Sequence, residues 1–250
     1  MAVEPGALRT YLCEQAGVVR AAGVAVATGT DESVHDLRVA IRRVRSALRT
    51  FVPVLPEEET LELDLRLKQA SAMLGLVRDL EVLDEVLAAE AAGPLRDRER
   101  EAARAALARR QELVRAELVS PRHERLVADL RLYVDALAPE ADELRRLARG
   151  AARKAKRQLA RAGQDPIGLH RARVAAKRAR YAAEVTGNPK RARRLKQVTD
   201  GLGIHHDCHL AAGQLRSLDV TGAEAVERDR ILAHLDLRAE EGRLAGMRSI

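Results

Sequence analysis

We predict an all-α fold of two related helical units, each of about four helices, and three features of the sequence lead to this prediction. Ala, Leu, Arg and Glu, which are all good helix formers, dominate the 250 residues, while aromatic residues make up 2% and tryptophan is absent. Proline and glycine stand between the helical segments, where they start or stop a helix. A basic segment with helical periodicity occurs twice, 135 positions apart.

The first half of the chain contains six segments with helical character. Pro53 and Pro56 end the second segment, and Gly93-Pro94 and Pro121 separate later ones. Residues 61–69 alternate apolar and charged side chains, which taken alone indicates a strand. They are nevertheless strong helix formers, and no other segment offers a partner strand. We therefore predict helices at 7–27, 34–51, 57–74, 77–91, 95–119 and 122–137.

The second half repeats this plan after Pro139. Asp165 is predicted to cap a helix whose first residue is Pro166, and Gly187 and Asn188 end that helix. We predict helices at 140–162, 166–186, 190–200, 205–218 and 222–247. Residues 1–250 would form a single domain, with a first bundle at 1–138 and a second at 139–250.

The internal repeat is clearest in its positively charged residues. An offset of 135 positions aligns His35 with His170, Arg38 with Arg173, Arg42 with Lys177, Arg43 with Arg178 and Arg45 with Arg180. A second offset of 128 positions aligns Lys68 with Lys196 and Asp79 with Asp207. The duplicated unit is therefore larger than one helix, and a bundle is predicted to be the repeated unit.

The basic residues of each copy fall on one helix face. On a helical wheel the first stripe occupies an arc of roughly 80°, and the second is equally narrow, with Tyr181 at its edge. Arg43 and Arg178 lie about 80° away, where they could pair with acids or line a rim. Like charges one turn apart destabilise a helix by about 0.2–0.5 kcal/mol per pair, so a lone stripe would be an ordinary solvated face. Two matching stripes instead favour an anion site. The stripe residues are His35, Arg38, Arg42, Arg45 and Arg49 in the first copy, and His170, Arg173, Lys177 and Arg180 in the second.

The charge distribution supports an anion as the partner. Residues 145–196 hold 18 Lys or Arg and two acids, whereas the formal charge of the whole chain is only +7. Arg149, Arg153 and Arg157 form a further basic stripe in this region, which could extend a groove or be a solvated face. Such a concentration attracts polyanions to one part of the surface. Arginine suits phosphate oxygens, while three Tyr and one Phe provide little surface for stacking nucleic-acid bases.

The motif His-x-x-Arg-Val-x-x-[Arg/Lys]-Arg-x-Arg, present twice, resembles the CHAD domain, a histidine-containing α-helical domain. The Leu-Lys-Gln, Leu-Gly and Asp pattern after each copy is also similar to CHAD, and the resemblance covers essentially the whole chain. It implies an all-α fold of two pseudo-symmetric four-helix bundles, with a basic groove or channel between them that binds inorganic polyphosphate without catalysis. Some CHAD domains are fused to triphosphate-tunnel enzymes, and this chain would be a stand-alone member.

Position by position, the resemblance implies binding roles for both copies of the motif. The helical wheel adds Arg49 and Tyr181 to the residues that match the motif. The predicted polyphosphate-binding residues are His35, Arg38, Arg42, Arg43, Arg45, Arg49, Lys68, His170, Arg173, Lys177, Arg178, Arg180, Tyr181 and Lys196. The sequence departs from the family pattern at 204–209, where it has IHHDCH.

Other functional readings have less support. His205 and His209 have a spacing that can chelate zinc, but a polar helix start with spare histidines is favoured, and no metal or cofactor is predicted. Asp79 and Asp207 are predicted to cap a helix or pair with a motif arginine. No catalytic motif surrounds Cys13 or Cys208, so we expect a non-enzyme with reduced thiols.

We expect a cytoplasmic location, because no apolar run or signal peptide is present. The expected partner is polyphosphate, free or in granules, with no membrane. A nucleic-acid-binding helical protein and, with less support, a polyphosphate-processing enzyme are the alternatives.

Overall fold

The computed structural model describes residues 3–4, 6–29 and 32–248, and this part of the chain contains helices and no strands. The all-α prediction is therefore confirmed. A short 3-10 turn at Val52–Val54 follows the second helix. The α-helices are α1 (Ala7–Ala27), α2 (Glu32–Phe51), α3 (Glu57–Ala88), α4 (Pro94–Leu118), α5 (Pro121–Asp135), α6 (Ala141–Arg161), α7 (Pro166–Val185), α8 (Pro189–Arg216) and α9 (Gly222–Arg248).

Side chains cap the starts of α7 and α5, and the cap of α7 is the one predicted from the sequence. The carboxylate of Asp165 accepts hydrogen bonds from the backbone N–H groups of Ile167 and Gly168, which caps α7 in front of Pro166. Ser120 caps α5 by accepting from the N–H of His123. Residues 61–69 lie within α3, so the helical interpretation of this alternating segment is confirmed.

Two boundaries predicted from the sequence are wrong. The predicted helices at 57–74 and 77–91 are one helix, α3, and those at 190–200 and 205–218 are also one helix, α8. A glycine inside a helix costs only about 1 kcal/mol relative to alanine, which tertiary packing readily offsets. Leu74 and Val77, on either side of Gly75, are buried in the core and hold α3 continuous.

The helices of each half pack mainly against their neighbours in the chain. α1 packs on α2, α2 on α3 and α3 on α4, while α7 lies between α6 and α8, and α8 packs extensively on α9. Between the halves, α2 packs on α7 and α6, α3 on α8, α4 on α9 and α1 on α7. Two of these contacts, α2 with α7 and α3 with α8, join helices that correspond in the repeat. The basic helices α2 and α7 therefore meet at the centre of the molecule.

The apolar core crosses the predicted boundary at 138/139. The largest cluster joins residues of α1 to α5 with Leu144 and Ala148 of α6 and with Ala182 and Val185 of α7. A second cluster joins the end of α3 to α8 and α9. The division into bundles at 1–138 and 139–250 stays a prediction. None of the helices in the described ranges is both long and apolar enough to cross a membrane.

Candidate anion-binding site

The apolar faces of α2 and α7 fix the direction of their basic faces. Leu37, Ile41, Val44 and Leu48 of α2 are buried, as are the alanines that line the packing side of α7. The basic residues of both helices are thereby brought to the region where α2, α3, α7 and α8 meet. Across this junction the Nε of Arg42 donates a hydrogen bond to the hydroxyl of Tyr181 at 3.1 Å.

Four cations from the two copies of the repeat come together at this junction. Arg38, Arg42, Arg173 and Lys177 are half-buried, and we call them the central cation cluster. Burial is the main cause that lowers the pKa of Lys177 to about 6, followed by the positive charges of Arg173, Arg42 and Arg38. Burial also lowers the pKa values of Arg38 and Arg173. Burial and the neighbouring positive charges therefore disfavour the charged forms of these side chains in the empty site.

Arg173 also has a polar atom without a partner. Its Nε is buried and makes no hydrogen bond within the described part of the chain. A buried donor that lacks an acceptor costs about 1–3 kcal/mol. An anion that reached this nitrogen would recover that free energy.

Two carboxylates lie beside the cluster. The negative charge of Asp207 acts on Lys177 and Arg173, and that of Asp79 acts on Arg38. Asp79 lies inside α3 and Asp207 inside α8, so neither caps a helix, and their effect is electrostatic. They offset only part of the positive charge.

Most of the other motif arginines are already bound to acids. Asp64 accepts hydrogen bonds from the Nε of Arg45 at 3.0 Å and from the Nη2 of Arg49 at 2.7 Å. The Nε of Arg180 donates to Glu184 at 3.0 Å. The flanking residue Arg43 has its Nε 3.7 Å from Glu184, which agrees with the first of its two predicted roles, pairing with an acid.

The predicted histidines have different surroundings. His35 is exposed, whereas the ring of His170 lies 5.2 Å from the ring of His206, centre to centre. Burial and the charge of Arg173 lower the pKa of His206 to about 4 and also lower the pKa of His170. His206, for which the sequence predicts no binding role, therefore lies beside the cluster.

Arg78 is a second residue that lies beside the cluster and is absent from the predicted binding set. It aligns with His206 in the repeat, and its positive charge acts on Arg38. Glu85 accepts a hydrogen bond from its Nη1 at 2.8 Å. In the repeat, Arg78 and His206 occupy equivalent positions, each directly before an aspartate. This alignment of two basic residues is the sequence signal that points to both as neighbours of the site.

His205 and His209 were predicted to lie at the start of a helix, and this prediction is wrong. Both residues lie inside α8. Their Nε2 atoms are 3.0 Å apart, and burial is the main cause that lowers the pKa of His205 to about 4. Within the ranges that the structure describes, no group of three or more His, Cys, Asp or Glu is placed to hold a metal ion. Of the cysteines, Cys13 is exposed and Cys208 is buried, and both are free.

A basic groove lies beside the cluster, between the end of α2 and the helices α6 and α7. This lateral groove has a volume of about 640 Å³, and Leu147 and Val174 form part of its apolar floor. His170 lines it, and its ring lies beside that of His206, on which the charges of Arg173 and Lys177 act, so the groove adjoins the central cation cluster. Its basic lining residues are Arg49, Arg146, Arg153, Lys154, Arg171 and Arg178, together with His170.

The remaining predicted residues lie further out. Of the three residues predicted to extend the site, Arg153 lines the lateral groove, while Arg149 and Arg157 are exposed on α6. Lys68 is exposed on α3. The Nζ of Lys196 lies 2.6 Å from Asp200 on the surface of α8.

Comparisons with known proteins agree with the fold and the motif. No curated protein matches the sequence. The CHAD domain from the plant Ricinus communis is 25% identical, with a TM-score of 0.81, and the match covers 100% of this chain and 93% of that chain. PptA from Streptomyces chartreusis is 21% identical, with a TM-score of 0.79, and the match covers 98% of this chain and 99% of that chain. The family model of the CHAD domain matches residues 10–216, which is most of the chain. The protein belongs to the CHAD domain family.

Proposed function

We propose that this protein binds inorganic polyphosphate at the central cation cluster without altering it chemically. The observation that carries the proposal is the meeting of four half-buried basic residues from both copies of the repeat, beside the carboxylates of Asp79 and Asp207. Membership of a family that is linked to polyphosphate in general supports the same ligand.

The arrangement suits a chain of phosphates better than a single phosphate. Beside the cluster, the lateral groove supplies further positive charge from Arg178, Arg153 and Lys154. A polyanion can contact many cations at once, and the favourable contributions of these contacts accumulate along the chain. Orthophosphate can occupy only one part of this surface.

The aromatic residues argue against nucleic acid as the ligand. Phe51 and Tyr181 are buried, and Tyr11 and Tyr133 are half-buried, so none of the four aromatic side chains is exposed. Arg43 and Arg180 each lie within 5.9 Å of the centre of the Tyr181 ring, where they cover it. Proteins that bind single strands normally stack bases on accessible rings. Tyr181 would instead position Arg42, because its hydroxyl accepts a hydrogen bond from the Nε of Arg42.

The surroundings of the two acids favour binding over hydrolysis. Metal-assisted hydrolysis of phosphate chains requires carboxylates that are available to a divalent cation. Asp79 and Asp207 lie beside arginines whose positive charges would repel such a cation.

A titration at matched salt tests the proposal. Long-chain polyphosphate, orthophosphate and single-stranded DNA are added at equal phosphate concentration, and binding and phosphate release are measured. We expect polyphosphate to bind at least tenfold more tightly than DNA, which corresponds to about 1.4 kcal/mol, and no phosphate to be released. Equal or tighter DNA binding would support the nucleic-acid alternative, and release of phosphate would support an enzyme.

A further inference from the structure

We infer that Lys177 takes up a proton when polyphosphate binds, so that binding is tighter at lower pH. This inference rests on the proposed function and concerns how the same site responds to pH. It follows from the position of Lys177, which is half-buried on α7 one helical turn after Arg173, where α7 packs on the arginine-bearing helix α2.

Lys177 is surrounded mainly by groups of its own charge. On α7, Arg173 lies one turn before it, and Arg38 and Arg42 face it from α2. Asp207 on α8 is the acid whose charge acts on it. Other charged or titratable groups that face the cluster are His170 and Tyr181 on α7, His206 on α8, and Arg78 and Asp79 on α3.

Among these cations, lysine is the one that can lose its proton near neutral pH. The guanidinium of arginine stays protonated in proteins, so Arg38, Arg42 and Arg173 keep their charge when the site is empty. The lysine ammonium is compact and strongly hydrated, and its burial disfavours the charged form. The pKa of Lys177 is lowered to about 6, mainly by burial and then by the three arginines. At neutral pH the empty site therefore holds a mostly neutral amine.

A bound polyphosphate reverses this balance. Its negative charges offset those of the arginines and attract an ammonium, so the pKa of Lys177 rises in the complex and a proton is taken up from the solvent. Between the pKa values of the free and bound states, up to one proton is taken up per protein. The affinity then falls by up to about tenfold for each pH unit above 6. Below that pH, Lys177 is already protonated in the free protein and contributes no further pH dependence.

The neighbouring histidines also gain protons on binding, but at lower pH. The pKa of His206 in the free protein is lowered to about 4, mainly by burial, and that of His170 is lowered as well. To be protonated in the complex at about pH 7.5, an imidazole needs a pKa above its unperturbed value of about 6.5. The pKa of an amine needs only to return part of the way to its unperturbed value of about 10.4. Proton uptake on the alkaline side of neutrality therefore reports on Lys177.

Titration calorimetry with long-chain polyphosphate tests the inference. The internal phosphates of a long chain are strong acids, so the ligand itself contributes little to proton exchange. Binding heats at about pH 7.5 in two buffers with different ionisation enthalpies give the number of protons taken up. We expect between one half and one proton for the wild-type protein, and an affinity that falls as pH rises from about 6.5 to 8.5.

Three variants assign the proton. Lys177→Arg keeps the positive charge but cannot release a proton, so it should bind polyphosphate with little uptake and a flatter pH profile. Lys190→Arg, at an exposed position on α8, should behave like the wild type. A His170→Gln/His206→Gln variant should still take up the proton at about pH 7.5. Circular dichroism confirms that each variant is folded.

The possible failures are distinct. Tight binding by the wild type without proton uptake, or with a flat pH profile, would overturn the inference and leave the proposed function intact. The same uptake in Lys177→Arg would overturn the assignment to Lys177. If the wild type does not bind polyphosphate at any pH, the proposed function fails and the inference fails with it.

Discussion

The cations of the repeated helices form two groups when each residue is considered by itself. Arg45, Arg49 and Arg180 face the anion-binding region but are bound to Asp64 or Glu184. Arg38 and Arg173 have lowered pKa values instead, and the buried Nε of Arg173 makes no hydrogen bond within the described part of the chain. A ligand must compete with a protein carboxylate for the first group, whereas the second group gains a new partner. The second group should therefore dominate the affinity.

The double variant Arg38→Ala/Arg173→Ala tests this division. Each lost charge-assisted contact is worth about 1–2 kcal/mol, so polyphosphate binding should weaken roughly 30- to 800-fold. The slope of log affinity against log salt should decrease in magnitude by about 1.4–1.8, because two fewer phosphates are neutralised and fewer counterions are released. Both quantities follow from titrations at several salt concentrations.

The control variant also removes two arginine charges, but from positions outside the predicted site. Arg98 and Arg216 have side chains that are 49% and 51% exposed and lie outside the predicted binding set. Arg98→Ala/Arg216→Ala should change affinity less than about threefold, since exposed ion pairs contribute about 0–1 kcal/mol. A similar loss in both double variants would mean that binding follows net charge and that no discrete site exists.

At the scale of the helices, the sequence predicted the elements that have local signals. Asp165, Pro166 and the proline positions identified the helix starts, and the repeat identified α2 and α7 as partners at the site. The continuity of α3 and α8 could not be predicted, because it depends on contacts between distant residues. The role of His206 in the site was missed for the same reason, since its neighbour His170 lies on another helix.

The contact between α8 and α9 depends on glycines. A Cβ atom on Gly201 would lie 2.4 Å from the backbone nitrogen of Gly246, so the helix backbones approach too closely for a side chain. Gly201→Ala should therefore lower the free energy of unfolding by about 1–3 kcal/mol, as overpacking does in cores. Gly213, on the same helix, has no atom within 4 Å of the added Cβ. Gly213→Ala should be neutral or stabilising by up to about 1 kcal/mol. Urea denaturation measures both, and equal effects would contradict the proposed close packing.

At the scale of the whole molecule, the two halves are joined by more than the basic helices. Glu227 on α9 is buried, and its carboxylate accepts hydrogen bonds from the backbone N–H groups of Leu95 at 3.1 Å and Arg96 at 3.2 Å, at the start of α4. A negative charge at this position also interacts favourably with the α4 dipole. Glu184 on α7 likewise accepts from the hydroxyl of Tyr11 on α1 at 3.0 Å. These contacts and the shared core make independent unfolding of the halves unfavourable.

We therefore expect the protein to unfold in one cooperative transition. Calorimetric and van't Hoff enthalpies should agree, and Glu227→Ala should shift the entire transition to lower temperature by about 2–10 °C, since the lost interaction is worth about 1–3 kcal/mol. Asp236→Ala breaks only an exposed ion pair with Arg216 and should change stability by less than about 0.5 kcal/mol. Two transitions, of which Glu227→Ala shifts only one, would show that each half folds by itself. In that case the cation cluster at their junction would be assembled by docking of two preformed units, and polyphosphate would stabilise their association more than the fold of either.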